Sequence, residues 1–187
     1  MTLDKFLKRE EAQPLTKERL KTYMRRPGLK FIDYEDIKKE TSIVSLLGNG
    51  KYGGVCILWS SGDGKIGHFT GLFRKGKTIM HFDPTGLPIH RLAQLTENPF
   101  VLQKKLEELK HVTYNRKKFQ QIKDNVQSCG RHVLCKWNLL NLSEREYESA
   151  MTHRKLSSDD IAVIFTIPND LQHWSEVRAE ESAAPHV

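Results

Sequence analysis

Cysteine is scarce in this chain. Its 187 residues include three, Cys56, Cys129 and Cys135. A small odd number argues against a disulfide framework, and no pair has the C-x-x-C spacing of a structural zinc site. Long apolar runs are also missing. Nothing approaches the roughly 18 residues that a membrane span needs, so no membrane partner is expected. The start, Met1-Thr2-Leu3-Asp4-Lys5-Phe6, lacks the apolar h-region of a secretory signal, and an intracellular location is the expectation. There is no internal repeat and no low-complexity segment. Acidic residues are outnumbered, 23 against 30 Lys and Arg, leaving a net charge of +7. Such a surface suits polyanionic partners as well as plain solubility.

What remains is an ordinary globular balance, 38% hydrophobic and 28% charged. One domain over residues 1–187 is expected, with about 1–12 and 179–187 loose because they lack a core-forming pattern. Trp174 and Val177 are candidates for docking on the core. Thr16 and Glu18 mark the start of a short helix over Leu15 to Met24, which Pro27-Gly28 ends. A short strand over Leu29 to Ile32 and a helical turn over Tyr34 to Lys39 follow. Leu47 to Gly54 is glycine-rich and reads as a loop. Val55-Cys56-Ile57-Leu58-Trp59 is a continuous apolar run of strand length, the pattern of a buried strand. Ser60 to Lys65 carries a strong turn signal.

Two more strands, Ile66 to Phe73 and Thr78 to Asp83, flank Arg74-Lys75-Gly76-Lys77. Pro99 to Leu109 has helical spacing and His111 to Tyr114 suits a strand. Val133, Leu134, Trp137 and Leu140 mark an amphipathic helix beginning near Cys129. Ser143 and the Ser157 to Asp160 run read as caps of two later helices. The mixture lacks βαβ alternation, which predicts an α+β fold.

The hairpin carries the first chemical signal. With Lys75-Gly76 as a two-residue turn, Arg74 faces Lys77 and His68 falls directly opposite Asp83. Opposed side chains share a face. A carboxylate on one ring nitrogen fixes the tautomer and leaves the other nitrogen to act as base. Phe69, Phe73, Met80 and Phe82 occupy the other face, as a core. His81 shares the Asp83 face but is flanked by Met80 and Phe82, so a structural role is expected of it.

Cys129 supplies the second signal. It stands where the polar stretch Asp124 to Ser128 turns into a helix, and helix starts stabilise thiolates. Gly130 lets a substrate backbone approach. The Cys129 N–H is an oxyanion donor in waiting, and Gln120 and Gln121, just upstream, are candidates for the second donor. His132, at i+3, is an alternative base, ranked below His68 because it would lie alongside the thiol. Cys56 and Cys135 read as core residues.

Four stretches in order carry a family resemblance. They are Gly67-His68-Phe69-Thr70-Gly71-Leu72, His81-Phe82-Asp83-Pro84-Thr85-Gly86, Tyr114-Asn115 with Phe119-Gln120, and Ser128-Cys129-Gly130-Arg131-His132. Over about residues 30 to 142 the chain resembles the clan of the adenovirus maturation protease and the ubiquitin-like-protein-processing proteases. Within it, the local text is most similar to maturation proteases of virophages, Polinton-type elements and large DNA viruses. Phe69 departs from that pattern, which usually places Trp after the histidine.

The resemblance implies a papain-like cysteine protease core. A mixed, mainly antiparallel sheet bearing the His/Asp hairpin would pack against a helix with the cysteine at its N-terminus. It further implies Cys129 as nucleophile, His68 as base, Asp83 as its partner and Gln120 (alternatively Gln121) as oxyanion donor. Gln127 is too near Cys129 to reach back. The expected activity is an endopeptidase that cuts viral structural precursors, in the virion or in the host nucleus or cytoplasm. No cofactor is required for that chemistry, although stimulation by DNA or a peptide activator fits the clan. Ser128 stands where ubiquitin-like-modifier proteases commonly carry Asp, which favours the viral branch over a deubiquitinase type. A non-enzymatic DNA-binding or packaging protein is the rival from another class, resting on Lys104, Lys105, Lys110, Arg116, Lys117, Lys118 and Lys123.

Overall fold

The computed structural model describes residues 2–39, 42–60, 67–96 and 100–167. The Ser60 to Lys65 turn signal, apart from Ser60, lies outside the described residues, as do Trp174, Val177 and 179–187.

A five-stranded sheet organises the molecule: β1 (Leu29–Asp33), β2 (Tyr52–Ser60), β3 (Gly67–Lys75), β4 (Thr78–Phe82) and β5 (Val112–Tyr114). The strands lie side by side in chain order. The middle is antiparallel, β2 against β3 and β3 against β4, while both edge pairs are parallel. Helices α1 (Leu3–Glu11) and α2 (Lys17–Thr22) precede the sheet. Helices α3 (Tyr34–Ile37) and α4 (Ile43–Leu47) lie between β1 and β2. A 3-10 turn, Ile89–Leu95, and α5 (Phe100–Glu107) link β4 to β5, and α6 (Cys129–Asn138), α7 (Glu144–Ala150) and α8 (Ser158–Thr166) follow. This is the expected α+β class, with a helix that starts at Cys129 set against a mixed sheet, the layout of a papain-like core.

Both faces of the sheet are buried, so the run from Val55 to Trp59 contributes to two cores. On one side Cys56, Phe69, Phe73 and Phe82 pack with Val133, Leu134 and Trp137 of α6 and Ala162 of α8. On the other, Val55, Ile57, Trp59, Leu72 and Ile79 pack with Ile37, Leu46, Leu92 and Leu102. The side expected to present polar groups is therefore a second core, in which Tyr34 stacks on Trp59 at 3.9 Å between centroids.

Three local expectations are corrected. Gly53 and Gly54 belong to β2 rather than to a loop, as Leu47 does to α4. Their lack of side chains serves packing: a Cβ on Gly54 would sit 2.5 Å from the Trp137 ring. The hairpin turn is Gly76-Lys77, not Lys75-Gly76, so Lys75 pairs with Thr78 and Gly71 with Phe82. Gly76 takes φ +63°, the left-handed conformation a tight hairpin demands. Finally, residues 3–11 are not loose. Thr2 caps α1, and Phe6 and Leu7 pack on Val163 and Ile167. The sequence pattern hid this because only two of nine helical positions supply the apolar contact.

The caps follow the sequence closely. Thr16 accepts from the Arg19 N–H, and Ser143–Glu146 and Ser157–Asp160 form reciprocal capping boxes.

Candidate active site

The site forms where the start of β3, the segment after β4 and the start of α6 meet. His68 is the second residue of β3, and its Nε2 lies 3.1 Å from Asp83 Oδ1. Asp83 follows the last residue of β4. Its Oδ1 also accepts from the Thr85 N–H at 2.7 Å and the Thr85 hydroxyl at 2.6 Å, a tight Asx-type turn formed by Asp83-Pro84-Thr85-Gly86. Asn115 fixes the backbone of Asp83, accepting from its N–H and donating to its carbonyl, both at 2.7 Å. The carboxylate is fully buried and Oδ2 has no partner among the described residues. With Nε2 committed to Asp83, Nδ1 is the ring nitrogen left for chemistry.

Cys129 lies close enough to His68 to help set its protonation. It is the first residue of α6, outside the intrahelical ladder. Ser128, the residue before it, does not cap the helix with its side chain. Burial pulls the His68 pKa down, but the hydrogen bonds to Asp83 and Cys129 and their charges outweigh it and raise the value to about 10. Burial pushes Asp83 up, yet the His68 and Thr85 hydrogen bonds and the His68 charge leave it below the ordinary carboxylate value. Asp83 and Cys129 both favour the protonated form of this imidazole.

The other sulfurs are held as thiols. Burial, with the neighbouring Cys129 adding to it, drives Cys56 well up, and burial drives Cys135 up to about 12. Cys129 lines a cleft of about 490 Å³, whereas Cys56 and Cys135 are fully buried. The cleft lining comes from the end of β2 and the start of β3, from Gln127 and Gly130, and from Pro14 to Glu18. That last segment was missed in the sequence. Nothing in a polar N-terminal segment marks it as facing a site more than a hundred residues away.

Gln120 and Gln121 separate clearly. The Gln120 side chain is buried, and its Nε2 donates to the Val126 carbonyl at 3.2 Å, three residues before Cys129. Its backbone N–H, with that of Phe119, donates to the Pro84 carbonyl at 2.8 Å. Gln120 therefore bridges the Asp83 turn and the Cys129 loop. Gln121 contributes a backbone N–H to Asp159 Oδ2 at 3.0 Å.

His132 pairs elsewhere, while His81 is within electrostatic range of Asp83 and His68. His132 is fully buried with Nε2 2.9 Å from Asp159 Oδ1, a second histidine–carboxylate pair that the chain order concealed. His81 is buried opposite Leu72, and burial lowers its pKa to about 4.

No family model matches the chain, and no curated protein matches it. Among solved structures, it is similar to two crystal structures of the ASFV pS273R protease. Both are 15% identical with TM-scores of 0.46 and 0.43, covering 84% of this chain and 68% of that one. It is also similar to the central domain of the uncharacterized Lpg1148 protein from Legionella pneumophila, at 14% identity and a TM-score of 0.44, covering 89% of this chain and 98% of that domain. Likenesses this distant transfer no chemistry, which has to come from His68 and its neighbours. Among the described residues no group of His, Cys, Asp and Glu is arranged to hold a metal ion, and no helix is long and apolar enough to cross a membrane.

Proposed function

We propose that this chain is a cysteine endopeptidase in which Cys129 is the nucleophile, His68 the general base and acid, and Asp83 the residue that orients the imidazole. The observation that carries this reading is one imidazole with a buried carboxylate at Nε2 and with Cys129 near enough to raise its pKa. His68 takes the Cys129 proton, giving a thiolate–imidazolium pair. The thiolate adds to a peptide carbonyl in the cleft, and the carbonyl electron pair moves onto oxygen. The Cys129 N–H and the second amide N–H of Gln120 hold that oxyanion, at roughly 3–4 kcal/mol per donor in comparable sites. Collapse expels the amine, which takes the proton from His68. His68 then draws a proton from water, hydroxide attacks the thioester, and the acid product leaves as Cys129 regains its proton.

The test is labelling with iodoacetamide, with the modified peptide mapped. Wild type should react fastest at Cys129, and His68→Ala should slow that reaction by roughly tenfold or more. Labelling of Cys129 that ignores His68 overturns the reading.

The substrate assignment rests on the resemblance of the four motifs: viral structural precursor polypeptides, processed in the virion or infected cell. Gly67 in the cleft lining suits a substrate backbone lying close, whereas Leu20 fills the place a Cβ on Gly130 would take. Cleavage of ubiquitin-like C-terminal probes in preference to precursor peptides would move the assignment to modifier removal. Stimulation by DNA is supported by the net charge of +7, and a strong fall with added salt would accompany it. A basic DNA-binding protein without catalysis leaves the His68–Cys129 proximity without a purpose.

A further inference from the structure

Asp159 is a fully buried carboxylate at the start of α8, outside the groups assigned to the chemistry. Three donors converge on it. The Ser128 hydroxyl reaches Oδ1 at 2.5 Å, His132 Nε2 reaches the same oxygen at 2.9 Å, and the Gln121 backbone N–H reaches Oδ2 at 3.0 Å. Beside it, the Ser158 hydroxyl bonds the Phe119 carbonyl. The beginning of α8 therefore grips two separate pieces of chain. One is 119–121, which carries Gln120. The other is 128–132, which carries Cys129. A buried carboxylate needs compensating donors, and here all three come from those two pieces.

We infer that Asp159 is a positioning residue for the oxyanion site, holding the Gln120 amide and the Cys129 N–H at a fixed separation without touching substrate. The inference rests on the peptidase reading above. Both proposed donors are backbone or side-chain groups within one residue of an Asp159 contact, so a shift at Asp159 misplaces one donor against the other. His68 is held separately by Asp83, so such a shift leaves the base in place. In Asp159→Asn an NH₂ replaces one acceptor oxygen and opposes either the Gln121 N–H or the Ser128 and His132 donors.

The experiment compares wild type, Asp159→Asn and Ser128→Ala in three measurements. These are peptide hydrolysis, iodoacetamide alkylation of Cys129, and inhibition by a peptide aldehyde. The Cys129 sulfur adds to the aldehyde carbon to form a hemithioacetal, whose oxygen occupies the oxyanion position. Misplacement of a catalytic group is expected to lower kcat by roughly 10–100-fold in Asp159→Asn, with KM little changed. Aldehyde affinity should fall by a similar factor while the alkylation rate stays within about twofold of wild type. Ser128→Ala, which loses one donor and no charge, should move the same two readouts in the same direction by less, and keeps the test alive should Asp159→Asn not fold. Folded variants with unchanged kcat overturn the inference. So does alkylation that falls in step with kcat, since Asp159 would then act on the nucleophile. A wild-type chain that neither hydrolyses peptide nor is alkylated at Cys129 overturns the peptidase reading and the inference with it, an outcome distinct from the other two.

Discussion

His68 meets Asp83 diagonally. The β3–β4 register, extended from the Gly71–Phe82 pair, would set His68 across from Thr85, yet Nε2 lies 3.1 Å from the Asp83 carboxylate. Thr85 makes this work by donating twice to that carboxylate oxygen, which swings Asp83 back toward the histidine. Asp83→Asn should lower kcat by about 10²-fold or more, because the amide no longer fixes the tautomer. Steady-state kinetics with a folded variant decide this, and a loss below threefold would remove Asp83 from the mechanism.

The same pair predicts an alkaline limb in stability. The folded pKa of His68, about 10, lies above its ordinary 6.5, so the fold holds the proton more tightly than the unfolded chain does. The stability this adds is fully present below pH 6.5 and is lost as the pH climbs toward 10. Urea unfolding of wild type and His68→Gln across that range should show their difference changing against wild type as pH rises. A flat difference would falsify the assignment of a charged, paired imidazole.

His81 acts in the opposite direction. Its folded pKa, about 4, lies below 6.5, so the unfolded chain binds the proton more readily. Stability is therefore lost as pH falls from 6.5 toward 4. His81→Leu should flatten that acid limb while leaving the alkaline one intact, as read by thermal melts at stepped pH.

Arg131, two residues after Cys129, is fully buried and bonds Glu10 of α1 and Thr166 of α8, both at 2.8 Å. Arg131→Ala leaves Glu10 without that partner and should cost about 3–5 kcal/mol, as breaking buried pairs does. Replacing both partners, Arg131→Met with Glu10→Leu, should recover most of the loss. Denaturant titration of single and double variants measures it, and additive losses would mean that the two residues stabilise separately.

Gly54 lies where α6 presses on the sheet. Gly54→Ala brings a Cβ to 2.5–2.6 Å of the Trp137 ring, and overpacking of this kind should destabilise by about 1–3 kcal/mol. A melting temperature equal to wild type would mean that Trp137 moves freely.

Periodicity and capping residues made the scaffold largely legible. The Thr16, Ser143 and Ser157 caps and the helix from Cys129 lie within a residue or two of where local chemistry places them, and the apolar run Val55 to Trp59 lies inside β2. The hairpin was displaced by one turn residue, because Lys75-Gly76 and Gly76-Lys77 both satisfy the demand for glycine. The displacement shifts the pairing by two positions, so every side chain keeps its face, and the His68–Asp83 meeting survives. Contacts at long separation were beyond reach. Neither Arg131–Glu10 nor Asp159 with Ser128 and His132 has a local pattern, since each joins helices that only the finished core brings together. Gly53 and Gly54 misled for a related reason: their backbone is ordinary strand, and the demand for glycine comes from Leu47 and Trp137.

The chain-order arrangement of the strands has a consequence for synthesis. Each strand pairs with its neighbours in sequence, so the sheet can condense as the polypeptide leaves the ribosome, with His68 and Asp83 already in place. Cys129 is translated only after all five strands, and the Asp159 that steadies its surroundings later still. In the proposed mechanism a nascent chain therefore carries base and carboxylate long before it carries a nucleophile, and the capacity to cut follows the sheet instead of accompanying it.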